Sequence, residues 1–372
     1  EAARLAMLLM AAGTLLVTFM LAIELCQRSP GAPAFGAVLL LLLSPVFFMQ
    51  AMMLQPEVPS ALALAAALLV FVRGRLWWSV AWCCVLVAMK ETGVVAPLVF
   101  GAVVWREGRR REALLFAIPV IVLGAWIGWL RITTGHLFGD AEFGQYNAFY
   151  NLHPARLLIA LGRRAYTLFF ENFHWLGAIA IWNGWAKGAF HTPAWRVTAA
   201  LGAAHVLLIS ATGGAVLERY LVPVLPLLYC AVVAGQSLLK SSTRWLHQGL
   251  LTGGLLLGLW WNPPYPFPLE NNLAMRDQIL LFQQVTGTIE AMKREPVVAT
   301  AWPLSAALRD PRLGYVARPQ AVREVPDFRI DTLTRRGAHL AQRIAAPGAA
   351  ILLFDLPPPA HNQSRELSTT AY

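Results

Sequence analysis

The sequence predicts an all-α polytopic membrane domain of about ten visible transmembrane helices, followed by a small soluble α/β domain. Hydrophobic residues make up 57% of the 372 residues and charged residues only 13%, whereas about a quarter of the residues in soluble domains are charged. Apolar runs follow one another as far as Trp261, and the chain becomes polar from about Asn271. The predicted domains are therefore residues 1–262 and 263–372.

Each apolar run between polar, glycine or proline breaks is predicted to be one helix. The runs are 4–25, 34–54, 58–72, 76–89, 92–105, 113–130, 165–185, 194–212, 217–239 and 246–261. The third to fifth are short for a span of about 20 residues, which favours tilt or partial burial. Residues 155–166 have helical apolar spacing with interleaved arginines, which predicts an amphipathic helix on the outer membrane surface.

The second domain begins after a proline-rich linker that we expect to be stiff, at 262–268. Residues 275–292 have the periodicity of an amphipathic helix, and 333–344 are also predicted to be a helix. Residues 297–300 and 351–354 are predicted to be short buried strands. Residues 357–372 are predicted to be a loose tail. The four cysteines lie in or beside apolar runs and show no disulfide framework and no metal-ligand spacing.

The net charge of +10 does not indicate nucleic-acid binding, because the basic residues fall in alternate short loops. These loops carry Arg73 and Arg75, then Arg106 and 109–111, then Lys240 and Arg244. Basic loops of this kind face the cytoplasm. Strict alternation then places Glu57, Lys90, Glu218 to Tyr220 and the C-terminal domain on the outer side.

Three charged interruptions of the apolar runs share that outer side: Glu57, the pair Lys90-Glu91, and Glu218-Arg219-Tyr220. A charge at the membrane edge is costly unless it is paired, solvated or functional. Arginine binds phosphate through a rigid fork and lysine as a point charge, so outer cations favour a phosphate-bearing lipid. The outer cations are Lys90, Arg131, Arg156, Arg163, Arg164 and Arg219.

Simpler interpretations stay open for each of these residues. Glu57 suits a helix start between two prolines, and Lys90 with Glu91 suits an exposed turn pair. The arginines of 155–166, and also Arg219, could extend to the interface. The loop histidines His136 and His153 share no metal-ligand spacing. The aromatic residues Tyr146, Phe149 and Tyr150 could stack on a sugar or anchor the loop at the interface.

Several segments together resemble the GT-C superfamily of membrane glycosyltransferases, particularly protein O-mannosyltransferases and bacterial aminoarabinose transferases. The segments are 43–47 leading into Gln55-Pro56-Glu57-Val58-Pro59, then Val87-Ala88-Met89-Lys90-Glu91-Thr92-Gly93, and then Glu218-Arg219-Tyr220-Leu221-Val222-Pro223-Val224-Leu225-Pro226. The resemblance covers about 1–262. It departs from the family at Glu57, where Asp is more usual, and at Met89, where Thr is usual.

A further departure concerns the start of the chain. The first predicted helix runs from outside to inside and so matches the family's second helix. The family carries its leading acidic residue in the loop before that helix. We therefore expect the chain to lack its first helix and first outer loop, and with them the preferred base.

The resemblance implies an inverting hexosyl- or pentosyltransferase in the bacterial inner membrane, with its C-terminal domain in the periplasm. It would move a sugar from a polyprenyl-phosphate donor to a lipid, glycan or protein acceptor. Glu57 would orient the acceptor or sugar, or serve as a substitute base. The substrate-binding candidates are Lys90, Glu91, Arg219, Tyr220, Arg131, Arg163, Arg164 and His136. No cofactor is predicted, and a divalent metal is left open.

Two other classes of protein compete with this interpretation. A transporter or flippase for a lipid-linked or anionic substrate also explains an outer basic cluster, but it predicts polar residues along a pathway and often repeats. A membrane scaffold would use the outer domain to bind a partner. A cavity that contains Glu57, Lys90 and Arg219 and is closed to the cytoplasm would favour the transferase.

Overall fold

The computed structural model describes residues 2–26, 34–139, 144, 153–212, 216–262, 268–292, 297–324, 339–346 and 349–355. Contacts divide the chain into two units, Glu1–Leu273 and Ala274–Tyr372. The first unit is helical, and its α-helices are α1 Ala2–Leu25, α2 Ala34–Leu43, α3 Pro45–Gln50, α4 Glu57–Val72, α5 Leu76–Met89, α6 Val95–Arg106, α7 Arg110–Ala113, α8 Ala117–Thr134, α9 Pro154–Phe169, α10 His174–Ala186, α11 Pro193–Thr212, α12 Leu225–Gln236 and α13 Ser241–Gly258.

Within the described residues, four segments are long and apolar enough to cross a membrane by length and composition: Ala2–Leu25, Arg110–Thr134, Pro193–Thr212 and Glu218–Gln236. The helices α2, α4 and α5 are apolar but shorter. The predicted polytopic helical fold is confirmed. The estimate of about ten spans stays a prediction, because several predicted runs are short or broken helices.

Helices α4 and α5 form an antiparallel pair at the centre of the packing. A left-handed turn at Gly74 (φ 74°) joins them, and the Ser79 hydroxyl donates to the Ala67 carbonyl at 3.1 Å between them. Small buried alanines on α4 allow this close approach. Because the helices have 16 and 14 residues, the start of α4 and the end of α5 lie at the same end of the pair.

Two predicted helices are broken by local chemistry. The run 34–54 is interrupted at Ser44, since Pro45 begins a new helix with an extended residue before it. The run 165–185 is interrupted between α9 and α10, where Asn172 and Phe173 adopt left-handed conformations (φ 48° and 66°).

Glycines on α13 make room for the second of these breaks. A Cβ on Gly258 would lie 2.3 Å from Asn172 Oδ1, and one on Gly254 would lie 2.4 Å from the Phe173 ring. The turn between α9 and α10 therefore depends on two residues of α13 that have no side chain. The apolar periodicity of 165–185 does not reveal this dependence.

The second unit contains helices α14 Ala274–Glu290 and α15 Leu304–Arg309 and strands β1 Val298–Thr300, β2 Val322–Glu324, β3 His339–Ala346 and β4 Ala349–Asp355. Strands β1 and β2 pair in parallel, and β3 and β4 pair antiparallel. Leu281, Val285 and Leu308 form its buried apolar core with neighbouring residues.

The helix predicted over 333–344 is wrong from residue 339 onward, because His339–Ala346 is a strand. Residues 333–338 and the tail 357–372 lie outside the described residues. The spacing of Leu340 and Ile344 suits a helix, yet pairing with the adjacent apolar strand β4 satisfies the same backbone groups. Long-range pairing thus overrides the local pattern.

Candidate functional site

Glu57 and Lys90 form a largely buried ion pair at one end of the α4–α5 hairpin. Lys90 Nζ lies 2.9 Å from Glu57 Oε1, and the two side chains are 15% and 2% exposed. Glu57 begins α4, and Lys90 follows the last residue of α5. The hairpin therefore brings together two charges that are separated by 33 residues.

Arg219 joins this pair from a third direction. The 3₁₀ segment Glu218–Val224 precedes α12 and packs against α4. It places Arg219 Nε 3.6 Å from Glu57 Oε1, which is an ion contact but too long for a hydrogen bond. On its other side, Arg219 Nη1 donates to Glu270 Oε2 at 2.7 Å.

Tyr220 lies beside both cations. Lys90 Nζ is 4.1 Å from the centre of its ring, and Arg219 Cζ is 5.6 Å away. The Tyr220 carbonyl is hydrogen bonded to His205 Nε2 at 3.1 Å, which ties the 3₁₀ segment to α11. We call Glu57, Lys90, Arg219, Tyr220 and Glu270 the ion-pair cluster.

The cluster contains two cations and two carboxylates in a poorly hydrated environment. Burial lowers the pKa of the Lys90 ammonium, and the adjacent Glu57 carboxylate opposes that shift. Glu57 Oε2, Arg219 Nε and Glu270 Oε1 are buried and make no hydrogen bond with the described residues. These three atoms leave acceptor and donor capacity for a polar molecule.

The structure brings together only some of the predicted substrate-binding residues. Lys90, Arg219 and Tyr220 meet Glu57, whereas Glu91 is exposed at the start of the 3₁₀ turn Glu91–Val94. Arg131 and His136 are also exposed, and among the described residues no hydrogen bond or ion pair links them to the cluster.

The adjacent arginines of α9 have different surroundings. Arg164 is 1% exposed, and its Nη2 donates to the Ile209 carbonyl of α11 at 2.7 Å, while burial lowers its pKa to about 10. Arg163 is exposed and lines a small cavity with Glu218. Arg164 therefore joins two helices. Tyr146, Phe149 and Tyr150 lie outside the described residues, and His153 is exposed just before α9.

Sequence reasoning missed Glu270, Asn271 and His205. Glu270 and Asn271 form a 3₁₀ turn with Leu269, and Asn271 Nδ2 donates to Glu218 Oε2 at 2.5 Å. These contacts span 51 and 53 residues, so no local pattern predicts them. The available signal was a carboxylate and two amides immediately after the proline-rich linker.

A large apolar groove lies between α9, α10, α11 and α12, with a volume of about 870 Å³. Its lining includes Leu161, Leu168, Trp182, Trp195, Val206 and Val224. Val224 is at the far end of the 3₁₀ segment that begins with Glu218 and Arg219. A 3₁₀ rise of about 2 Å per residue places the groove roughly 10 Å from Arg219 along that segment.

Across the part of the chain that the structure describes, no group of three or more His, Cys, Asp or Glu side chains has the arrangement of a metal site. The four cysteines are free thiols, of which Cys26, Cys83 and Cys230 are buried.

Comparison with known proteins identifies the fold. No protein-family model matches the sequence, and no curated protein matches it significantly. Two solved structures match, both of ArnT from Cupriavidus metallidurans: one bound to undecaprenyl phosphate (TM-score 0.53) and one in the apo state (TM-score 0.51). Each is 14% identical, and the match covers 87% of this chain and 72% of the other. The resemblance to the GT-C superfamily is therefore confirmed at the level of the fold, which this chain shares with ArnT.

Proposed function

We propose that the protein transfers a sugar from a polyprenyl-phosphate donor to an acceptor hydroxyl on the outer face of the membrane. The observation that carries this proposal is the ion-pair cluster, in which Lys90 and Arg219 converge on one buried carboxylate. Two neighbouring cations at this end of the α4–α5 pair can stabilise the negative charge of a phosphate leaving group. The structure of ArnT with undecaprenyl phosphate supports this class of donor.

The proposed chemistry assigns one task to each side chain. The acceptor oxygen forms a bond to the anomeric carbon while the bond from that carbon to the phosphate oxygen breaks. Lys90 and Arg219 stabilise the negative charge that develops on the leaving polyprenyl phosphate. Glu57 Oε1 holds the two cations together, and Oε2, which is buried without a hydrogen-bond partner in the described structure, is the proposed acceptor of the hydroxyl proton.

The apolar groove is the proposed site for the polyprenyl chain. Along α11 its lining extends from Trp195 to Leu207, a distance of about 18 Å at 1.5 Å per residue. Its lining is almost entirely aliphatic and aromatic, as the isoprenoid tail requires. Because Val224 and Arg219 belong to one short segment, a tail in the groove would have its phosphate near the cations.

The test is transfer by the full-length protein in proteoliposomes that contain labelled polyprenyl-phosphate sugar. Replacing Arg219 with Ala should lower transfer by roughly 100-fold or more, by analogy with the loss of a group that stabilises transition-state charge. Arg111→Ala is the matched control, because Arg111 is an exposed arginine within the short helix α7.

Occupation of the groove can be tested with the same assay. An Ala199→Trp substitution places a large ring in the groove and should raise KM at least 10-fold for a long-chain donor, while a donor with one or two isoprene units is affected less. Leu250→Trp, at an exposed position of α13, is the control. Normal transfer by both Arg219→Ala and Ala199→Trp would contradict the proposal, and movement of lipid without transfer would favour a flippase.

A further inference from the structure

Glu270 has no role in the proposed chemistry, yet it makes the shortest contact to Arg219. Its Oε2 accepts from Arg219 Nη1 at 2.7 Å, and its side chain is only 16% exposed. The next residue, Asn271, is 7% exposed and donates to Glu218. Two consecutive residues of the turn Leu269–Asn271 thus hold two consecutive residues at the start of the 3₁₀ segment.

The contact with Glu270 restricts the orientation of the guanidinium group. A guanidinium is a rigid planar fork, and a charge-assisted bond to one terminal nitrogen limits rotation of the plane. The opposite edge then carries Nε, which faces Glu57 at 3.6 Å and is buried without a hydrogen bond to the described residues. The Tyr220 ring lies on a third side.

We infer that Glu270 is a positioning residue for Arg219, an inference that rests on the proposed function. By occupying Nη1, Glu270 turns the Nε edge of the guanidinium toward Lys90 and Glu57, where a phosphate could accept two parallel hydrogen bonds. Glu270 itself does not touch the phosphate. Its negative charge also compensates the second cation while the donor site is empty of substrate.

A competing role for Glu270 makes the opposite prediction. A carboxylate that occupied the phosphate position would inhibit binding, and its removal would tighten the complex with polyprenyl phosphate. A positioning carboxylate leaves that position accessible, so its removal releases a long flexible side chain and weakens binding. The sign of the change in Kd therefore separates the two roles.

The experiment measures Kd for polyprenyl phosphate, together with kcat and KM for transfer, in the full chain and its variants. Glu270→Ala should raise Kd and KM by about 10- to 100-fold, by analogy with the loss of a partner that orients a metal ligand. Glu270→Gln, which keeps an acceptor oxygen but loses the charge, should show a smaller loss, and Glu270→Asp should recover part of it. Glu112→Ala removes a carboxylate from the exposed pair with Arg109 and serves as the control.

A double variant distinguishes positioning from a general structural role. If Glu270 acts through Arg219, then Arg219→Ala combined with Glu270→Ala should be no worse than Arg219→Ala alone. Multiplicative losses, an unchanged Kd, or tighter binding would overturn the inference. The isosteric Glu270→Gln variant preserves the test if Glu270→Ala does not fold.

The wild-type protein separates this inference from the proposed function. Wild-type protein that neither binds polyprenyl phosphate nor transfers sugar would overturn both. Wild-type binding and transfer without any effect of Glu270 substitutions would overturn the positioning role alone.

Discussion

At the residue scale, Glu57 is the centre of the ion-pair cluster. A carboxylate that is 2% exposed carries a desolvation cost of several kcal/mol, which only close counter-charges can offset. Lys90 and Arg219 supply those charges from two different segments. Lys90 and Arg219 are far apart in the sequence, and their shared contact with the Glu57 carboxylate holds them close together in the fold.

The Glu57–Lys90 pair allows stability and activity to be separated. Lys90→Met should lower the free energy of unfolding by about 3–5 kcal/mol, because it leaves the buried carboxylate with only the longer Arg219 contact. Adding Glu57→Gln should recover much of that loss, while transfer stays abolished since the cation is absent. Thermal unfolding in detergent and the transfer assay measure the two effects.

The exposed Arg109–Glu112 pair is the control for this cycle, and its removal should change the unfolding midpoint little. A double variant that is as unstable as Lys90→Met alone would contradict the assignment of Glu57 as the buried counter-charge.

The lowered pKa of Lys90 predicts how phosphate binding depends on pH. Burial brings the pKa of its ammonium below the ordinary value of 10.5, so the side chain loses its charge at a lower pH than an exposed lysine. Binding of polyprenyl phosphate should therefore weaken as the pH rises through that lowered value. Lys90→Arg should shift the alkaline loss to higher pH, because arginine keeps its proton. The measurement is Kd as a function of pH for both proteins. If Lys90 is not involved, the alkaline loss of binding should occur at the same pH in the wild type and in Lys90→Arg.

Part of this cluster could be predicted from the sequence because charged residues interrupt apolar runs conspicuously. Glu57, Lys90 and Arg219 each stand at such an interruption, and the alternation of basic loops placed them at one end. Glu270 follows a proline-rich linker in a polar stretch, where carboxylates are common. Its partner is 51 residues away, so only the folded chain identifies it.

At the scale of elements, α10 and α12 both line the apolar groove and pack closely against each other. A Cβ on Gly235 of α12 would lie 2.0 Å from the Ala180 carbonyl oxygen of α10. Asn183 Nδ2 donates to the Gly235 carbonyl at 3.3 Å across the same contact. Because Gly235 has no side chain, α10 and α12 approach each other closely enough for this hydrogen bond to form.

Gly235→Ala should therefore destabilise the protein by at least about 1–3 kcal/mol through overpacking. Gly249→Ala, on α13 where an added Cβ meets nothing within 4 Å, should be neutral or slightly stabilising because alanine favours helix. Thermal unfolding of the two variants in one detergent compares them directly. Equal unfolding midpoints for Gly235→Ala and Gly249→Ala would show that α10 and α12 can move apart without loss of stability.

Helix existence was predictable from apolar runs, whereas helix breaks were not. The interruption between α9 and α10 depends on Gly254 and Gly258 of α13, which no pattern within 165–185 reveals. Strand β3 shows the same limitation, because its partner β4 decides its conformation. Local periodicity records which residues prefer burial but not which distant segment buries them.

At the scale of the whole molecule, the charge pattern predicts the orientation of the membrane unit. Arg73 pairs with Glu24 at 2.9 Å at the loop end of the α4–α5 hairpin, which is opposite to the end that carries Glu57 and Lys90. The basic loop should face the cytoplasm and the ion-pair cluster the outside.

Accessibility of single cysteines in a cysteine-free background tests this orientation. Met52→Cys, at a position 54% exposed near the cluster end, should react with a membrane-impermeant maleimide in intact spheroplasts. Arg111→Cys should react only after the membrane is opened. The reverse pattern would invert the proposed topology and place the chemistry in the cytoplasm.

The turn Leu269–Asn271 has a practical consequence for dissecting the protein. Composition suggests cutting after Trp261 or Asn262, where the apolar sequence ends, but that cut would discard the partners of both Glu218 and Arg219. A shortened membrane fragment should instead end at Leu273, whose amide donates to the Leu259 carbonyl at 3.0 Å. Otherwise, the loss of the residues between the cut and Leu273 would be misread as a catalytic contribution of the C-terminal domain.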